Sequence, residues 1–391
     1  MKSFSVLVSG AGLGGLCLAH SLRRAGIGVQ VFERDASPWE RPQGYRLHID
    51  SDGASALADA LPPELYDLFE RTSMKPQPFT TIVDTAFREV RRQANESPSH
   101  SGVHLNVDRA TLRRILLREL DDVLVFGESL THYSSDESGV TACFASGRVA
   151  RGDVLVGADG IRSAVRRQRL PHAQIQDTGV RAIYGRIPMA DAARLLPDQA
   201  LRDVFTVAVD ERALFLGVGP VAFPQRPADL GLVECDDYVV CIVGGRRERF
   251  GRDDATLRDA RSGELKGLAE SLVAAWDPRA AEIPALGDPS SFFFVEMFTS
   301  VPLVLRAPTN VTLLGDAIHA MTPTLGRGAN LALRDGARLG RWLARVAGGD
   351  IGLPAALGEY EAEMAGYAFD VVRQSAAMGM RLMGQDPLPE E

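Results

Sequence analysis

The sequence contains no basic cluster, few cysteines and no long apolar run, and each shortage argues against a class of protein. The formal net charge is −8 and the 43 lysines and arginines do not cluster, which argues against nucleic acid as a partner. The 4 cysteines form no CxxC pair and no cluster with histidine, so neither a disulfide framework nor a metal site is expected. Reduced thiols are typical of a cytoplasmic protein.

Membrane and export signals are also missing. No uncharged apolar run reaches about 18 residues, the length of a membrane span, so we expect no membrane partner. The N-terminal stretch superficially resembles a signal peptide, but glycines from Gly10 onward interrupt its apolar core and no small-residue cleavage site closes it. We therefore expect no signal peptide. The 391 residues suffice for two domains or for one large domain with an insertion.

The order of the predicted elements indicates an inserted domain. A βαβ unit is expected at 4–9, 13–25 and 29–33. Buried strands return at 154–156 and 311–314, whereas the stretch between about 179 and 243 consists mainly of strands. The predicted fold class is therefore α/β (α+β insertion), a Rossmann-like domain with an inserted strand-rich domain and a long C-terminal helix.

Other segments give more local predictions. Residues 110–120 are expected to form an amphipathic helix with Asp108 as its N-cap, and a helix is expected at 161–169. The polar, proline-bearing segment 91–102 is interpreted as a surface loop. The C-terminal helix is expected at about 357–380.

The motif GAGLGG follows the first strand and opens the first helix. Gly10 permits a tight turn, Gly12 lets the backbone approach a pyrophosphate, and Gly15 lets helix and strand pack closely. Glu33 ends the next strand, where it can accept from a ribose 2′-hydroxyl and would repel a 2′-phosphate. Arg34 either contacts the adenine or is solvated. The motif predicts FAD or NAD, bound by Gly10, Gly12, Leu13, Gly14, Gly15 and Glu33.

Two later motifs distinguish FAD from NAD. Asp159–Gly160 and Gly315–Asp316 each follow a predicted strand and precede a helix. Asp316 could accept from the hydroxyls of a ribityl chain, which NAD lacks, and the helix start at 328–330 offers free N–H groups to an anionic flavin edge. The alternatives are a helix N-cap for Asp159 and a solvent-facing turn for Asp316. The three motifs in this order predict FAD.

With these motifs the chain resembles group A flavoprotein monooxygenases of the para-hydroxybenzoate hydroxylase fold. The resemblance covers nearly the whole length, through GAGLGG with Glu33, DRATLRRIL, GADGIRSAVR and GDAIHAMTPTLGRGAN. It implies that Arg109 contacts FAD and that Asp159–Gly160 serves both FAD and a reduced nicotinamide. It implies that Gly315–Asp316 binds the ribityl or pyrophosphate region and that Pro323 lies beside the flavin ring. The implied backbone donors to the ring edge are Gly326, Gly328, Ala329 and Asn330.

Some positions depart from the family pattern or extend it. Thr324 stands where many relatives have a second proline and Arg327 where glutamine is common, whereas His319 fits the GDAxH pattern and is interpreted as structural. The segment 41–57 resembles flavin-dependent tetracycline destructases and antibiotic-tailoring oxygenases. It would bring Arg46 and His48, our catalytic-site candidates together with Pro323, close to the flavin or the substrate; the alternative is a surface strand.

Two apolar patterns have both structural and functional interpretations. The phenylalanines of SFFFVEMF, residues 291–298, line an aromatic pocket or form sheet core, and base rates favour core. The residues Tyr360, Met364, Tyr367 and Val371 recur at helical spacing, which predicts packing.

The resemblance implies that NADPH or NADH reduces FAD and that O2 is then activated as a flavin C4a-(hydro)peroxide, which transfers one oxygen atom. An aromatic or polycyclic, polyketide- or antibiotic-like substrate is implied, and hydroxylation, epoxidation and Baeyer–Villiger insertion are all compatible. The implied FAD-binding domain comprises 1–75, 101–175 and 281–391, and the substrate domain 76–100 and 176–280. A monomer or weak homodimer is expected.

Two rival functions fit the same residues. One is an FAD enzyme of this fold without oxygen transfer, a dehydrogenase or a non-redox cyclase. The other is a catalytically silent protein that binds an aromatic ligand. A flavin-dependent halogenase is disfavoured because Trp39, Trp276 and Trp342 stand alone, without a paired-tryptophan motif.

Overall fold

The computed structural model describes residues 4–38, 44–95, 102–305 and 307–389. Its strands, in chain order, are β1 (Ser5–Ser9), β2 (Gly28–Glu33), β3 (Arg46–Asp50), β4 (Gln77–Val83), β5 (Glu89–Ala94), β6 (His104–Asp108), β7 (Leu124–Phe126), β8 (Leu130–Asp136), β9 (Gly139–Phe144), β10 (Val149–Gly152), β11 (Val154–Gly157), β12 (Ile175–Pro188), β13 (Asp203–Val209), β14 (Phe215–Val221), β15 (Tyr238–Arg246), β16 (Phe293–Ser300) and β17 (Val311–Leu313). Its helices are α1 (Leu13–Arg24), α2 (Ser51–Ala60), α3 (Pro63–Thr72), α4 (Arg109–Leu117), α5 (Ala164–Arg169), α6 (Met189–Ala192), α7 (Asp254–Asp259), α8 (Ser262–Val273), α9 (Pro278–Glu282), α10 (Asp316–His319), α11 (Gly328–Ala347) and α12 (Leu353–Met383).

A five-stranded parallel sheet forms the Rossmann-like part, with strand order β17-β11-β1-β2-β7. Its strands are short apolar runs because both faces are covered, and Val6, Val31 and Val156 are fully buried. Helices α1 and α11 pack together, and a Cβ built on Gly340 would lie 2.1 Å from the Ser21 hydroxyl oxygen. This arrangement confirms the predicted fold class.

The strand-rich part is a seven-stranded sheet with order β16-β12-β15-β14-β13-β4-β5. It is antiparallel except where β13 runs parallel to β4. Alternation along the strands gives it two different faces, since Ile183 and Val243 belong to an outer core that includes Leu265 of α8. The opposite, inner face carries Tyr184, Phe205 and other half-buried rings.

A two-stranded ribbon of β3 and β6 lies between the two large sheets. Its buried apolar side chains, among them Ile49 and Val107, join the core of the Rossmann-like part. The side chains between them are polar, so apolar and polar side chains alternate strictly along each strand. The sequence reading missed this ribbon as a pair because its polar side chains are typical of an exposed surface strand.

Some predicted elements need correction. Residues 91–94 belong to strand β5 rather than to a loop, because a polar strand is tolerated at a sheet edge, and 96–101 lie outside the described residues. The helix expected at 161–169 begins only at Ala164, since the Ser163 side chain caps it. Strand β16 pairs with β12, so 293–300 joins the seven-stranded sheet although the predicted boundary at 281 assigned it to the other part. Apolar patterning does not specify which sheet a strand joins.

Other local predictions are confirmed. Asp108 caps α4, and its carboxylate accepts from the Thr111 N–H at 2.8 Å. The stripe on α12 is packing, since Tyr360 and Met364 are buried in the core of the Rossmann-like part.

None of the helices in the described ranges combines the length and the apolar character that crossing a bilayer requires. Trp39 and residues 41–43 of the segment 41–57 are outside the described residues.

Candidate active site

The predicted motifs meet at the carboxyl edge of the five-stranded sheet. Ser9 of β1 is in register with Phe32 of β2 and with Gly157 of β11, and Gly157 is in register with Leu313 of β17. Each of these strands therefore ends beside the next, although β17 lies far from β1 in the sequence. Ligands of open parallel sheets bind outside this edge.

The glycines of the first loop differ in what surrounds them. A Cβ on Gly10, whose φ is 110°, would lie 2.2 Å from the Ala158 carbonyl oxygen. A Cβ on Gly14 would lie 2.6 Å from the Ala332 carbonyl oxygen, and one on Gly15 only 2.2 Å from the Gly10 oxygen. Apart from Gly12 itself and its two chain neighbours, no atom of the described residues lies within 4 Å of a Cβ on Gly12. Packing within the protein therefore does not require glycine at position 12.

Two helices begin at the carboxyl edge of the five-stranded sheet with free backbone N–H groups. Helix α1 starts at Leu13 and α11 at Gly328, and within the described ranges no side chain caps either N-terminus. Uncapped first-turn N–H groups and the positive end of the helix dipole favour an anion. The residue that precedes α1 is Gly12, so a phosphate could approach these donors closely.

Glu33 has a contact that sequence reasoning did not predict. Its Oε2 accepts from the Ala11 N–H at 2.8 Å and its Oε1 from the Asp35 N–H at 3.1 Å. The carboxylate thus holds the glycine loop against β2, with lone pairs remaining for a ligand hydroxyl. Arg34 is exposed, and its guanidinium lies 3.6 Å from Asp35.

The two carboxylate oxygens of Asp159 have different surroundings. One oxygen, Oδ2, accepts from the Ala164 N–H at 2.7 Å and so supports the start of α5. The other, Oδ1, is buried without a hydrogen-bond partner in the described part of the chain. Burial raises the pKa of this carboxyl group. Gly160 follows with φ of 70° and open space around it. An orphaned buried oxygen beside open space suits a missing polar ligand.

The buried side chain of Asp335 holds the backbone at Gly315, the residue before Asp316. Gly315 has φ of 59°, and its N–H donates to Asp335 at 2.8 Å. The same Asp335 oxygen lies 2.6 Å from His319 Nε2, and both side chains are fully buried. The Asp335 charge and hydrogen bond raise the pKa of His319 in spite of its burial. Asp316 itself is exposed at the start of α10, where its carboxylate can meet a ligand.

The loop between α10 and α11 is anchored on two sides. Pro323 is exposed and opens a 3-10 turn, and Gly326 ends it with φ of 63°. Thr324, a departure from the family pattern, hydrogen-bonds the Ser375 carbonyl of α12 at 2.9 Å. Arg327, the other departure, lies 2.8 Å from Asp52 of α2. Both residues therefore fix the loop.

The Asn330 side chain connects α11 to strand β3. Its amide nitrogen donates to the carbonyls of His48 and Gly326 at 2.8 and 3.0 Å, and its oxygen accepts from the Asp50 N–H at 2.9 Å. Ala329 and Gly328 lie beside it, half-buried at the helix start. The side chain of Asn330 is thus structural, whereas the backbone donors around it remain available to a flavin edge.

Arg46 and His48 lie at the inner side of the ribbon rather than on an exposed strand. Arg46 Nη2 donates to the Asn106 side chain at 2.6 Å and to the Val204 carbonyl at 2.5 Å. His48 Nε2 lies 2.9 Å from Nδ1 of His104. The surface-strand alternative is therefore wrong for both residues, because the seven-stranded sheet covers this face of the ribbon.

Aromatic rings cover the inner face of the seven-stranded sheet. Phe293 stacks on Tyr184 with ring centroids 5.6 Å apart, and Tyr45 meets Phe293 edge-on at 5.2 Å. All three are half-buried, whereas the neighbouring Phe292 and Phe294 belong to the outer core. The SFFFVEMF stretch thus supplies both core and inner face, since alternate side chains of a strand point to opposite sides.

Arg109 connects the ribbon to these rings. Its N–H donates to the Tyr45 carbonyl at 2.7 Å, and its charge opposes the burial that raises the pKa of Tyr184 to about 12. Sequence reasoning missed Tyr184, His104 and Asp335, because each lies in an element whose own pattern gives no functional signal.

The residues present fit FAD. The open space at Gly12, the two uncapped helix starts and the orphaned oxygen of Asp159 all lie around one crevice. A dinucleotide places its pyrophosphate at such a helix start. The exposed Asp316 and the loop before α11 then lie where the rest of the cofactor would extend.

Comparison with known sequences identifies related proteins. The family model described as FAD binding domain matches residues 258–375. The chain is 36% identical over 383 residues to the dual O-methyltransferase/FAD-dependent monooxygenase elcB of Phaeosphaeria nodorum, a match that covers 88% of this chain and 40% of that protein. The chain spans only 40% to 47% of the length of three such curated relatives.

Solved structures show the same fold. A Photorhabdus luminescens protein described as an FAD containing monooxygenase superposes with a TM-score of 0.82 at 32% identity, over 96% of this chain and 98% of that one. HpxO of Klebsiella pneumoniae, complexed with FAD and uric acid, gives a TM-score of 0.78 at 25% identity, over 98% and 90% of the two chains.

Proposed function

This chain belongs to the FAD-dependent monooxygenases, and from that premise we propose that it uses NADPH or NADH and O2 to insert one oxygen atom into an aromatic or polycyclic small molecule. The proposal rests on how close the predicted cofactor-binding residues lie to the aromatic face of the seven-stranded sheet. Gly12 and the start of α11 lie around one crevice, and the inner face with Tyr45, Tyr184 and Phe293 belongs to the sheet beside it. When bound, FAD supplies the redox chemistry and the activation of O2.

The chain itself contributes binding and orientation. The first N–H groups of α1 receive the pyrophosphate, Glu33 accepts from the ribose, and Asp316 accepts from the ribityl chain. The backbone from Gly326 to Asn330 donates to the ring edge. Asp159, with one free oxygen, is assigned to the FAD and the transient nicotinamide. These roles fit the observed exposure of Asp316 and the orphaned oxygen of Asp159.

We assign the substrate to the space between the loop that begins at Pro323 and the inner aromatic face. Half-buried rings such as Tyr184 and Phe293 offer offset-stacked or edge-on contacts to a flat ligand. Rings that cover the site also exclude water, which limits loss of the activated oxygen. A flat heterocycle, uric acid, is present in the HpxO structure of similar fold, in keeping with this substrate class.

The corresponding division of the chain follows the sheets. We propose that the five-stranded sheet with α1, α11 and α12 binds FAD, and that the seven-stranded sheet, β16 included, forms the substrate part.

The protein is assigned to the cytoplasm, in keeping with its free cysteines in the described residues.

The test is a screen of aromatic and polycyclic compounds with FAD-loaded protein. We expect NADPH or NADH consumption that rises with substrate and a product heavier by one oxygen atom, labelled when labelled dioxygen is supplied. Oxidised product without oxygen from O2 would indicate a dehydrogenase. Ligand binding without any NAD(P)H consumption would indicate a silent binding protein, and either result would overturn the proposal.

A further inference from the structure

The chain turns back where α12 ends, and the four residues that follow, 384–387, form a strap across two parts of the molecule. Gly384 ends the helix in the left-handed region with φ of 64°, and the N–H of Gln385 donates to the Gly379 carbonyl at 3.2 Å. The turn buries the Gln385 side chain, so that only 4% of this residue is exposed. A buried amide needs polar partners inside the protein.

Hydrogen bonds tie the strap to the seven-stranded sheet. The Asp386 N–H donates to the Thr178 carbonyl of β12 at 2.9 Å, and the Asp386 carboxylate lies 2.6 Å from the Arg246 guanidinium of β15. The Gln176 side chain of β12 donates to the Pro387 carbonyl at 2.7 Å. The backbone of the strap is thus fixed on the sheet that we assign to the substrate.

The Gln385 side chain reaches from the strap to the loop between α10 and α11. Thr322, which precedes Pro323, donates from its hydroxyl to Gln385 Oε1 at 2.9 Å, and Ser375 of α12 donates to the Thr322 carbonyl at 2.7 Å. Thr322 and Ser375 are both buried. The Nε2 of Gln385 is buried and has no hydrogen-bond partner in the described part of the chain. Oε1 is therefore the atom through which this side chain acts.

A glycine in α12 makes room for the contact. A Cβ on Gly379 would lie 2.2 Å from Gln385 Oε1, so any other residue at this position would displace the amide. Glycine in a helix interior is less favourable than alanine. The long helix thus contains a residue that weakens it where the Gln385 side chain crosses it.

The loop transmits the contact to the start of α11. Thr322 is followed by a 3-10 turn, in which the Gly326 N–H donates to the Pro323 carbonyl at 3.1 Å. The Gly326 carbonyl in turn accepts from the Asn330 side chain at 3.0 Å. These hydrogen bonds make the loop a stiff connection, so a shift at Thr322 is passed on to the N–H groups of the first turn of α11.

We propose, on the basis of the function proposed above, that Gln385 is a positioning residue for the flavin. Through Thr322 it holds the N–H groups at the start of α11 against the ring edge, and so strengthens binding of reduced FAD relative to oxidised FAD. Reduction adds negative charge to this edge, and fixed N–H dipoles stabilise such a charge only at short range. The pyrophosphate and ribityl contacts assigned to α1 and Asp316 do not involve the strap.

The test is the two-electron midpoint potential of bound FAD, measured by spectroelectrochemical titration without NAD(P)H and without substrate. Gln385→Met keeps the size of the side chain and removes the acceptor, and Thr322→Val removes the donor. Each is expected to lower the ratio of the affinities for reduced and oxidised FAD about three- to tenfold, a fall in potential of about 15–30 mV. The dissociation constant of oxidised FAD should stay within about twofold, because its other contacts are distant from the change.

Two further variants separate positioning from a general loss of packing. Thr322→Ser keeps the hydroxyl and is expected to keep most of the wild-type potential. The double variant Gln385→Met/Thr322→Val should fall no further than either single variant, because both changes remove the same hydrogen bond. A double variant that shows the sum of two separate effects would mean that the residues act independently, and would overturn the proposal.

Glycine substitutions in α12 provide a matched control. Gly379→Ala displaces the Gln385 side chain and should lower the potential as Gln385→Met does. Gly366 lies in the interior of the same helix, and outside the adjacent backbone of α12 a Cβ there would meet no described atom within 4 Å. Gly366→Ala should therefore leave the potential unchanged. Equal shifts in the two variants would trace the effect to the helix rather than to the strap, and would overturn the proposal.

FAD content is measured in the same samples. Wild-type protein that binds no FAD would contradict the proposed function, and this inference with it. Bound FAD with the wild-type potential in Gln385→Met and Thr322→Val would contradict only the role of Gln385. Equal weakening of both redox forms would also overturn that role, because the strap would then serve binding alone.

Discussion

At the residue scale, the glycines of the first loop show how a ligand site differs from packing. Gly10, Gly14 and Gly15 are glycines because a side chain would meet backbone atoms of the protein itself. Gly12 meets none in the described residues. The motif predicted a packing role for Gly15 and a ligand-facing role for Gly12, and the structure adds that Gly10 and Gly14 are also closely packed.

Replacement of Gly12 by alanine tests this distinction. The backbone at Gly12 is extended with φ of −75°, which alanine adopts freely, so we expect the apoprotein to lose less than about 1 kcal/mol of unfolding free energy. The new methyl group would occupy the approach path of the pyrophosphate, so the dissociation constant of FAD should rise about tenfold or more. Equilibrium titration of flavin fluorescence measures it.

The matched control is Gly267→Ala on the exposed side of α8. A Cβ there also meets no described atom, and alanine in a helix interior is expected to stabilise by up to about 1 kcal/mol without changing FAD affinity. Equal effects of the two substitutions on FAD affinity would show that Gly12 is not at the cofactor.

Asp316 belongs to the C-terminal part of the chain, and we assign it to the same FAD molecule as Gly12. Asp316 is exposed, and its side chain makes no hydrogen bond or ion pair with the described part of the chain, so Asp316→Ala should leave the thermal midpoint nearly unchanged while FAD is lost on desalting. Flavin absorbance per protein after gel filtration measures this. Asp121→Ala, at another exposed acid, is the control, and equal flavin retention in both variants would contradict the assignment.

At the scale of elements, long and apolar patterns were predictable and polar pairings were not. Strands β1, β2 and β11 and helices α1 and α11 follow from periodicity and glycine placement in the sequence. The ribbon of β3 and β6 does not, because its polar side chains resemble a solvated face until the second sheet covers them. Thr324 and Arg327 depart from the family pattern, yet each anchors the loop between α10 and α11 through a partner distant in the sequence.

The contact between His319 of α10 and Asp335 of α11 predicts that the free energy of unfolding depends on pH. In the folded protein Asp335 raises the pKa of His319 above its ordinary value of 6.5. The pair therefore stabilises fully below about pH 6.5, and the contribution is lost as the pH rises through the folded pKa. The free energy of unfolding, measured by denaturant titration from acid to alkaline pH, should show this decline in the wild type.

Asp335→Asn is the comparison. At low pH it leaves a buried imidazolium without its partner, so we expect a loss of about 3–5 kcal/mol that shrinks as the pH rises. A difference between the two proteins that stays constant across this pH window would show that the charge on His319 does not matter.

At the scale of the whole molecule, the proposed cofactor site includes residues from both ends of the chain. Strand β17 completes the sheet that β1 begins, and α11 packs on α1. The sequence placed the strand-rich insertion between these segments, but it could not predict that the inner face of that sheet closes over the ribbon. This closure depends on contacts such as Arg46 to Val204, which join residues far apart in the chain.

Because we assign residues from both chain ends to the FAD site, FAD should stabilise the molecule as one unit. At about 100 times its dissociation constant, FAD is expected to add about 2.7 kcal/mol to the free energy of unfolding. Circular dichroism and flavin fluorescence, recorded during the same thermal scan, should report one coincident transition. Release of flavin well before loss of secondary structure would show that the site unfolds separately.

A crystal structure of the protein grown with FAD would test the assigned cofactor site most directly. We expect the pyrophosphate over Gly12 at the start of α1, the ribityl chain at Asp316 and the ring beside the backbone of Gly326 to Asn330. A crevice filled by side chains, or FAD bound away from the carboxyl edge of the five-stranded sheet, would contradict it.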